Sequence, residues 1–353
     1  MTRLVARTRR LDADVDLLAV AGDDGMVFEK GRHGLAGRGV ALEVAWPAGD
    51  PAAAARAAAD ALAAIDVDDA VGVPGTGAVA FGALPFTPGA AASLTVPEVV
   101  VGRADDGTRW ITVVSDADAG PGSDRPPGTA SPPDPDAPTP DALSGPRADR
   151  PQPQRYAVEA AHSPEWWCDL VARATKEMAD GAFEKVVLAR LVEVTTDHPI
   201  DRLAVLERLR SAYPGCHLVG IGPFVAASPE LLVAVAGDIV RAHPMAGTAP
   251  RGGDPASDQR LAASLLASPT YRHEHQVTID VVHDTLLGWC SYVDYEPAPS
   301  VVAVANLQHL ATLVEGRLSH PRPSVLELVA ALHPTPAVAG RPRDAAVAWI
   351  SEH

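Results

Sequence analysis

The stretch from Asp180 to Thr196, DGAFEKVVLARLVEVTT, is the most informative part of this 353-residue chain. Its valines and leucines predict a β-strand, because β-branched and large apolar residues suit a pleated, buried surface. We predict a helix just before it, ending near Ala179, with Ser163 as its N-cap and Pro164 in its first turn. A second predicted helix, DRLAVLERLRSAY (201–213), follows. This order of elements indicates a mixed fold of helices and strands.

The same alternation extends outward in both directions. Toward the N-terminus, an alanine-rich helix is predicted at 51–65. Toward the C-terminus, residues 258–287 predict one long helix. Residues 243–258, HPMAGTAPRGGDPASD, predict a glycine-rich loop ahead of that helix. Short runs of strand composition precede the region, namely LLAVAG (17–22), GVALEVAW (39–46), AVAFGALPF (78–86), EVVVGR (98–103) and RWITVVS (109–115).

Composition excludes several classes of protein. The chain has 45 acidic and 29 basic residues, a formal charge of −16, so we expect no nucleic-acid partner. It lacks an apolar run long enough to span a bilayer, and its N-terminus does not resemble a secretory signal. Cys168, Cys216 and Cys290 form no CxxC pair, which fits a reducing compartment. We therefore expect a cytoplasmic protein without a membrane partner.

Residues 116–155 interrupt the pattern. They contain 11 prolines and only one leucine, which is too little apolar surface to offset the entropy of ordering. We predict a disordered linker or insertion there. It divides the chain into an N-terminal half, 1–115, and a C-terminal half, 156–353.

Two titratable residues border apolar strands. Lys185 begins the run KVVLAR, where desolvation would lower its pKa and make it a usable base. Glu230 lies between a Ser-Pro turn and an apolar strand, where a partly desolvated carboxyl could stay protonated and act as an acid. The alternatives are a strand-end lysine that reaches solvent and an ordinary exposed carboxylate.

Three further segments could bind ligand. In RHEH (272–275) the two histidines are two residues apart, so on a helix they cannot share one zinc ion. Glu274 could instead bind Mg²⁺, or it could belong to a solvated helix surface. In AGTAPRG (246–252), the Gly247 backbone and the Thr248 hydroxyl could bind an anion. Two prolines stiffen a turn beside Ala337 in LHPTPAVAG (332–340).

Taken in order, these segments resemble the chorismate-utilising enzymes, a family that includes isochorismate, salicylate, anthranilate and aminodeoxychorismate synthases. The resemblance rests on FEKVVLAR (183–190), SPELL (228–232), AGTAPRG, the helix containing RHEH, QHLAT (308–312) and LHPTPAVAG. It implies an α+β fold with a large, mostly antiparallel β-sandwich wrapped by helices. It also implies chorismate as the substrate and Mg²⁺ as the cofactor, and we expect a monomer.

Within the family, Lys185 favours the members that add water, and isochorismate synthases resemble this sequence best. The resemblance implies that Lys185 deprotonates a water that attacks C2 of chorismate, while Glu230 protonates the departing C4 hydroxyl. It makes Glu274 a ligand of Mg²⁺. It also implies that Gly247, Thr248, His309 and Ala337 contact the substrate. The product would feed menaquinone or siderophore synthesis.

The sequence departs from the family pattern in three places, the smallest being Ala226 or Ala227, where a glycine is common. Thr270 and Tyr271 stand where the family usually has a lysine followed by an acidic residue. The family pattern also continues past His353, with a second magnesium carboxylate, an arginine and a lysine. We therefore keep two alternatives beside isochorismate synthase: a salicylate synthase, which shares the lysine, and a truncated paralogue without activity.

Overall fold

The computed structural model describes residues 3–117, 140–147 and 150–353. The two long ranges contain strands and helices in mixed order, and residues 140–147 contain one short helix. The strands are β1 (Leu4–Arg10), β2 (Met26–Lys30), β3 (His33–Arg38), β4 (Leu42–Trp46), β5 (Asp66–Asp69), β6 (Phe81–Gly82), β7 (Ala92–Val96), β8 (Val99–Arg103), β9 (Arg109–Asp116), β10 (Tyr156–Ala160), β11 (Lys185–Val186), β12 (Val192–Thr196), β13 (His217–Ile221), β14 (Phe224–Ser228), β15 (Leu231–Ala236), β16 (Ile239–His243), β17 (Met245–Pro250), β18 (Cys290–Tyr295), β19 (Ser300–Ala303), β20 (Leu307–Ala311), β21 (Val314–Leu318) and β22 (Gly340–Arg341).

The helices begin mostly at side chains that accept a hydrogen bond from the first turn. Ser163 accepts from the Trp166 N–H at 3.2 Å, which confirms it as the predicted N-cap. The helices are α1 (Leu17–Ala21), α2 (Pro51–Ala63), α3 (Pro140–Leu143), α4 (Pro164–Ala179), α5 (Arg202–Ala212), α6 (Pro255–Ala267), α7 (Pro269–Leu287), α8 (Val325–Leu332) and α9 (Arg343–Glu352). Within the described residues, none of them is long and apolar enough to cross a membrane.

The chain forms two compact units. The first contains residues 1–85, 89–150 and 201–229. Its large sheet has the strand order β14-β13-β2-β3-β8-β9-β1-β5, in which only the β1–β5 pair is parallel. A smaller sheet has the order β4-β7-β6. The core lies under the large sheet, where α1 and α5 bury Leu17, Val20 and Leu206.

The second unit contains residues 86–88, 151–200 and 230–353. One sheet has the order β15-β16-β21-β18 and another the order β17-β20-β19, and both are antiparallel. Two strand pairs, β10–β12 and β11–β22, complete the unit. Helix α7 packs Ile279, Val282 and Leu286 into an apolar core with β16, β21 and α8. These antiparallel sheets with helices confirm the predicted α+β class.

Local details differ from the sequence predictions in several places. The single strand predicted from Lys185 to Thr196 is two strands, β11 and β12, which pair with β22 and β10 respectively. The run LLAVAG was predicted as a strand, but it forms α1, whose N-terminus is capped by the Asp16 side chain at 3.2 Å from Leu18 N. A short apolar run fits a buried helix as well as a strand, so periodicity alone could not decide. The predicted long helix at 258–287 is two helices, because the chain is extended at Ser268 before Pro269.

The boundaries predicted for the two halves differ from the compact units, since α5, β13 and β14 belong to the first unit. Most of the predicted disordered linker, 118–139 and 148–149, lies outside the described residues. The prediction was wrong for 140–147. Leu143 is fully buried in the core of the first unit, and Gly145 N–H donates to Ala19 O at 2.7 Å. Nothing in the local sequence around this single leucine predicts that the core buries it.

We predict that Leu143→Ala lowers the free energy of unfolding by about 2–4 kcal/mol, because it removes buried methyl groups and leaves a cavity. Urea denaturation followed by circular dichroism measures this. Leu287→Ala is the matched control, since Leu287 is 49% exposed and its loss should change stability by about 0.5 kcal/mol or less. Equal stability of the wild type and Leu143→Ala would contradict the packing described here.

Candidate active site

An ion pair between Lys185 and Glu274 lies in the second unit. Lys185 begins β11, which pairs with β22, and the flanking Glu184 N–H donates to Arg341 O at 2.7 Å. Glu274 lies in the second turn of α7, whose start is fixed by the Ser268 cap and Pro269. The Lys185 Nζ is 3.3 Å from Glu274 Oε1, and the lysine side chain is only 12% exposed. The predicted base is therefore a largely buried amine beside one carboxylate.

Burial dominates the electrostatics of Lys185. Loss of water lowers the pKa of the amine, and the negative charges of Glu274 and Glu230 partly oppose that effect. Among the described residues, the buried Nζ has no hydrogen bond of good geometry beyond this ion pair. An amine in this state can give up its proton more readily than an exposed lysine, which is what a general base requires.

Glu230 lies just before β15, after the Ser228-Pro229 turn. Its carboxylate accepts a hydrogen bond from the Met245 backbone N–H, and it interacts electrostatically with Lys185. Burial nevertheless raises the pKa of this carboxyl to about 7. Burial thus disfavours the charged form of both groups. The pair can supply one neutral base and one protonated acid within the same site.

Two substrate-contact candidates, Thr248 and His309, face each other across a strand pair. They are opposite residues in the β17–β20 ladder, and Thr248 Oγ1 lies 3.0 Å from His309 Nδ1. Burial lowers the pKa of His309, which favours a neutral ring. Residues 61 positions apart in the sequence thus form one polar pair.

Gly247 lies at an irregularity in the β17 strand. The prediction of a loop over 243–258 was wrong for Met245–Pro250, which form this strand, and the ladder shifts register between Ala246 and Thr248. The φ of Gly247 is +79°, and a Cβ there would come within 3.3 Å of the Tyr271 Cβ. Both facts require glycine at this position. Tyr271, which replaces the acidic residue of the family pattern, packs against this backbone.

Ala337 lies in the turn between α8 and β22. The turn is attached to the strand that begins at Lys185, because Val187 N–H donates to Ala339 O at 2.8 Å and Lys185 pairs with Arg341. Ala337 itself is half-buried. This position is compatible with the predicted substrate contact, which stays a prediction.

His275 is a residue of this region that the sequence analysis did not single out. It is only 2% exposed, and its Nε2 is hydrogen-bonded to Thr312 Oγ1 at 2.8 Å. Burial, Lys185 and His243 lower its pKa to about 4, so the ring is neutral. His273 is exposed and contacts Glu184 instead, which confirms that the two histidines do not form a pair. Helical spacing predicts the burial of His275, because it lies on the same face of α7 as the buried Ile279, Val282 and Leu286.

The donors available for Mg²⁺ are few. Among the described residues, no group of three or more His, Cys, Asp or Glu side chains is arranged to hold a metal ion. Glu274 offers a single, partly exposed carboxylate. This is compatible with Mg²⁺, which commonly binds through one or two carboxylates and completes its shell with water and substrate oxygens.

Comparisons with known proteins show which family the chain belongs to. The profile of the chorismate binding enzyme family matches residues 28–353, and the chain belongs to that family. It is similar to isochorismate synthase DhbC of Bacillus subtilis, with 37% identity over 204 residues that cover 54% of this chain and 51% of DhbC. It is also similar to isochorismate synthase EntC of Escherichia coli K12, with 37% identity over 188 residues that cover 52% of this chain and 48% of EntC.

The matched segment thus spans about half the length of these curated relatives. Among solved structures, the fold is similar to that of MenF, the menaquinone-specific isochorismate synthase from Escherichia coli. The TM-score is 0.75 at 18% identity, and the match covers 100% of this chain and 79% of MenF. This likeness supports the fold.

We predict that Glu230 makes stability depend on pH. A carboxyl with a pKa of about 7 in the folded protein and about 4.5 unfolded binds more protons when folded. Glu230 therefore raises the free energy of unfolding below pH 4.5. This contribution falls by about 2–3 kcal/mol as the pH rises to 7. Glu230→Gln stays neutral, so its stability relative to the wild type should rise by that amount between pH 4.5 and 7.

Chemical denaturation across this pH range measures the difference. Glu165→Gln is the control, because Glu165 is exposed at the start of α4 and its pKa is lowered, so its replacement should not reproduce the effect. A constant difference between the wild type and Glu230→Gln would show that Glu230 ionises as an ordinary carboxyl.

Proposed function

We propose that this chain is an isochorismate synthase, which converts chorismate to isochorismate. Its family and the names of its relatives support the substrate and the reaction. The observation that carries the proposal is the buried Lys185 amine, paired with Glu274 and coupled electrostatically to Glu230, whose pKa is raised. Water addition needs a base and an acid of this kind at one substrate.

In the proposed reaction, the neutral Lys185 Nζ takes a proton from water as its oxygen bonds to C2 of chorismate. The ring double bonds shift and the C4–O bond breaks. Protonated Glu230 donates its proton to the departing C4 oxygen, which leaves as water. One water enters and one leaves, so the reaction is an isomerisation. The proton gained by Lys185 must then return to Glu230 or solvent before the next turnover.

The remaining candidate residues would bind and orient the substrate. The Gly247 backbone and the Thr248 hydroxyl would contact a substrate carboxylate, with His309 holding the threonine hydroxyl at 3.0 Å. Ala337 would contact the substrate from the turn tied to β11. Mg²⁺ held by Glu274 would supply positive charge that offsets the substrate carboxylate in this acidic protein.

We predict that the purified chain converts chorismate to isochorismate in the presence of Mg²⁺ without releasing pyruvate. Lys185→Gln should lower kcat by about 100-fold or more, because it removes the base while keeping similar side-chain length. Liquid chromatography of the products measures both results. Lys176→Gln on α4 is the control, since Lys176 is exposed and should be dispensable.

The products formed from chorismate distinguish an isochorismate synthase from a salicylate synthase and from an inactive paralogue. Salicylate with pyruvate would assign the chain to the salicylate synthases. Absence of turnover in a cooperatively folded chain would favour the inactive paralogue. Activity in Lys185→Gln equal to that of the wild type would contradict the role of Lys185.

We predict that Glu274→Gln raises the Mg²⁺ concentration needed for half-maximal activity by about tenfold or more, because it removes an ionised ligand. A Mg²⁺ titration at saturating chorismate measures this. Asp284→Asn is the control on the same helix, since the Asp284 side chain is 73% exposed. An unchanged Mg²⁺ requirement in Glu274→Gln would exclude Glu274 as a ligand.

A further inference from the structure

Thr312 connects two parts of the second unit that carry the proposed chemistry. It follows β20 and is fully buried. Its Oγ1 is hydrogen-bonded to His275 Nε2 at 2.8 Å, and His275 is the residue next to Glu274 on α7. Its backbone N–H donates to Pro244 O at 3.4 Å. One residue thus contacts both α7 and the junction of β16 and β17.

That junction also holds the acid. Met245 directly follows Pro244, and its backbone N–H donates to the Glu230 carboxylate. Met245 is also the ladder partner of Ala311, the residue before Thr312. A continuous path of covalent and hydrogen bonds therefore runs from Glu274 through His275, Thr312 and Met245 to Glu230.

The His275–Thr312 hydrogen bond differs in kind from the apolar contacts that anchor α7, and unlike the ion pairs of Glu274 and His273 it joins two buried side chains. Ile279, Val282 and Leu286 hold the helix against its sheet through apolar packing. Apolar burial is favourable but not directional, so it stabilises the helix without fixing its rotation or its shift along its axis. A short hydrogen bond between two buried side chains restrains both.

We propose that His275 is a positioning residue, whose hydrogen bond to Thr312 sets the separation between the Lys185–Glu274 pair and Glu230. The inference rests on the proposed function, since the separation matters only if Lys185 and Glu230 act on one substrate. His275 and Thr312 need not touch that substrate. Their hydrogen bond acts through the placement of α7 relative to the strand junction that holds Glu230.

The test compares substitutions that keep or remove this hydrogen bond. Thr312→Ser keeps the hydroxyl and Thr312→Val removes it at similar volume. His275→Gln places an amide near the position of Nε2, whereas the shorter Asn places it near Nδ1. We expect Thr312→Val and His275→Asn to lower kcat by about 10- to 100-fold with little change in the KM for chorismate. The Ser and Gln variants should recover most of that loss.

Thr112→Val is the matched control. Thr112 is also fully buried, and its hydroxyl is hydrogen-bonded to Thr8 at 2.8 Å in the first unit. A substitution that only removes a buried hydrogen bond should lower Tm and leave kcat unchanged. We expect this result for Thr112→Val. The assay is run well below every Tm, so that kcat refers to folded protein.

The outcomes separate the two proposals. If the wild type forms isochorismate and Thr312→Val keeps its kcat while losing Tm as Thr112→Val does, the positioning role is refuted and the function stands. Equal kcat losses in Thr312→Ser and Thr312→Val would also refute it. If the wild type forms no isochorismate, the proposed function fails and the positioning role fails with it. In the double variant His275→Asn/Thr312→Val, we expect no greater loss than in either single variant.

Discussion

The amine of Lys185 loses most of its water on folding and gains one carboxylate, Glu274, at 3.3 Å. Such an exchange is seldom favourable for stability, because the lost hydration of two charges is large compared with one ion pair. The second unit nonetheless contains this ion pair, together with the buried carboxyl of Glu230. These costs are understandable if the groups are kept for chemistry, since the burial that makes them costly also moves both pKa values toward neutrality.

The surrounding elements hold the charged groups from different directions. Lys185 lies on β11, Glu230 lies at the start of β15, and Glu274 projects from α7. The β17–β20 ladder brings Thr248 and His309 together. Each element is itself fixed by antiparallel pairing or by an apolar helix face. The proposed site is therefore assembled from several elements, each of which is fixed by its own packing or pairing.

The sequence was sufficient for some of these features and insufficient for others. Lys185 and Glu230 could be proposed because each follows a local rule, a titratable residue at the edge of an apolar strand. The facing pair Thr248 and His309 could not be derived from spacing, because strand register depends on the whole ladder. The RHEH spacing excludes a zinc site shared by its histidines but predicts no role for His275. The helical spacing of His275 with the apolar residues of α7 does predict its burial.

Tertiary contacts also overrode local composition in the first unit. Leu143 is one apolar residue among prolines and aspartates, and nothing in its neighbourhood predicts that the core would bury it. The run LLAVAG became a helix because Asp16 caps it and the core surrounds it. For Leu143 the deciding partners are distant in the sequence, so a local pattern could not identify them. For LLAVAG the Asp16 cap is local, and only the surrounding core is distant.

The central claim is that Glu230 keeps its proton up to a pH near 7, beside a lysine whose pKa is lowered. The most direct test is ¹³C NMR of the glutamate side-chain carboxyls as a function of pH, with the Glu230 signal assigned by its loss in Glu230→Gln. We expect a titration midpoint near 7 for this carboxyl. A midpoint near 4.5, the ordinary value for glutamate, would contradict the account.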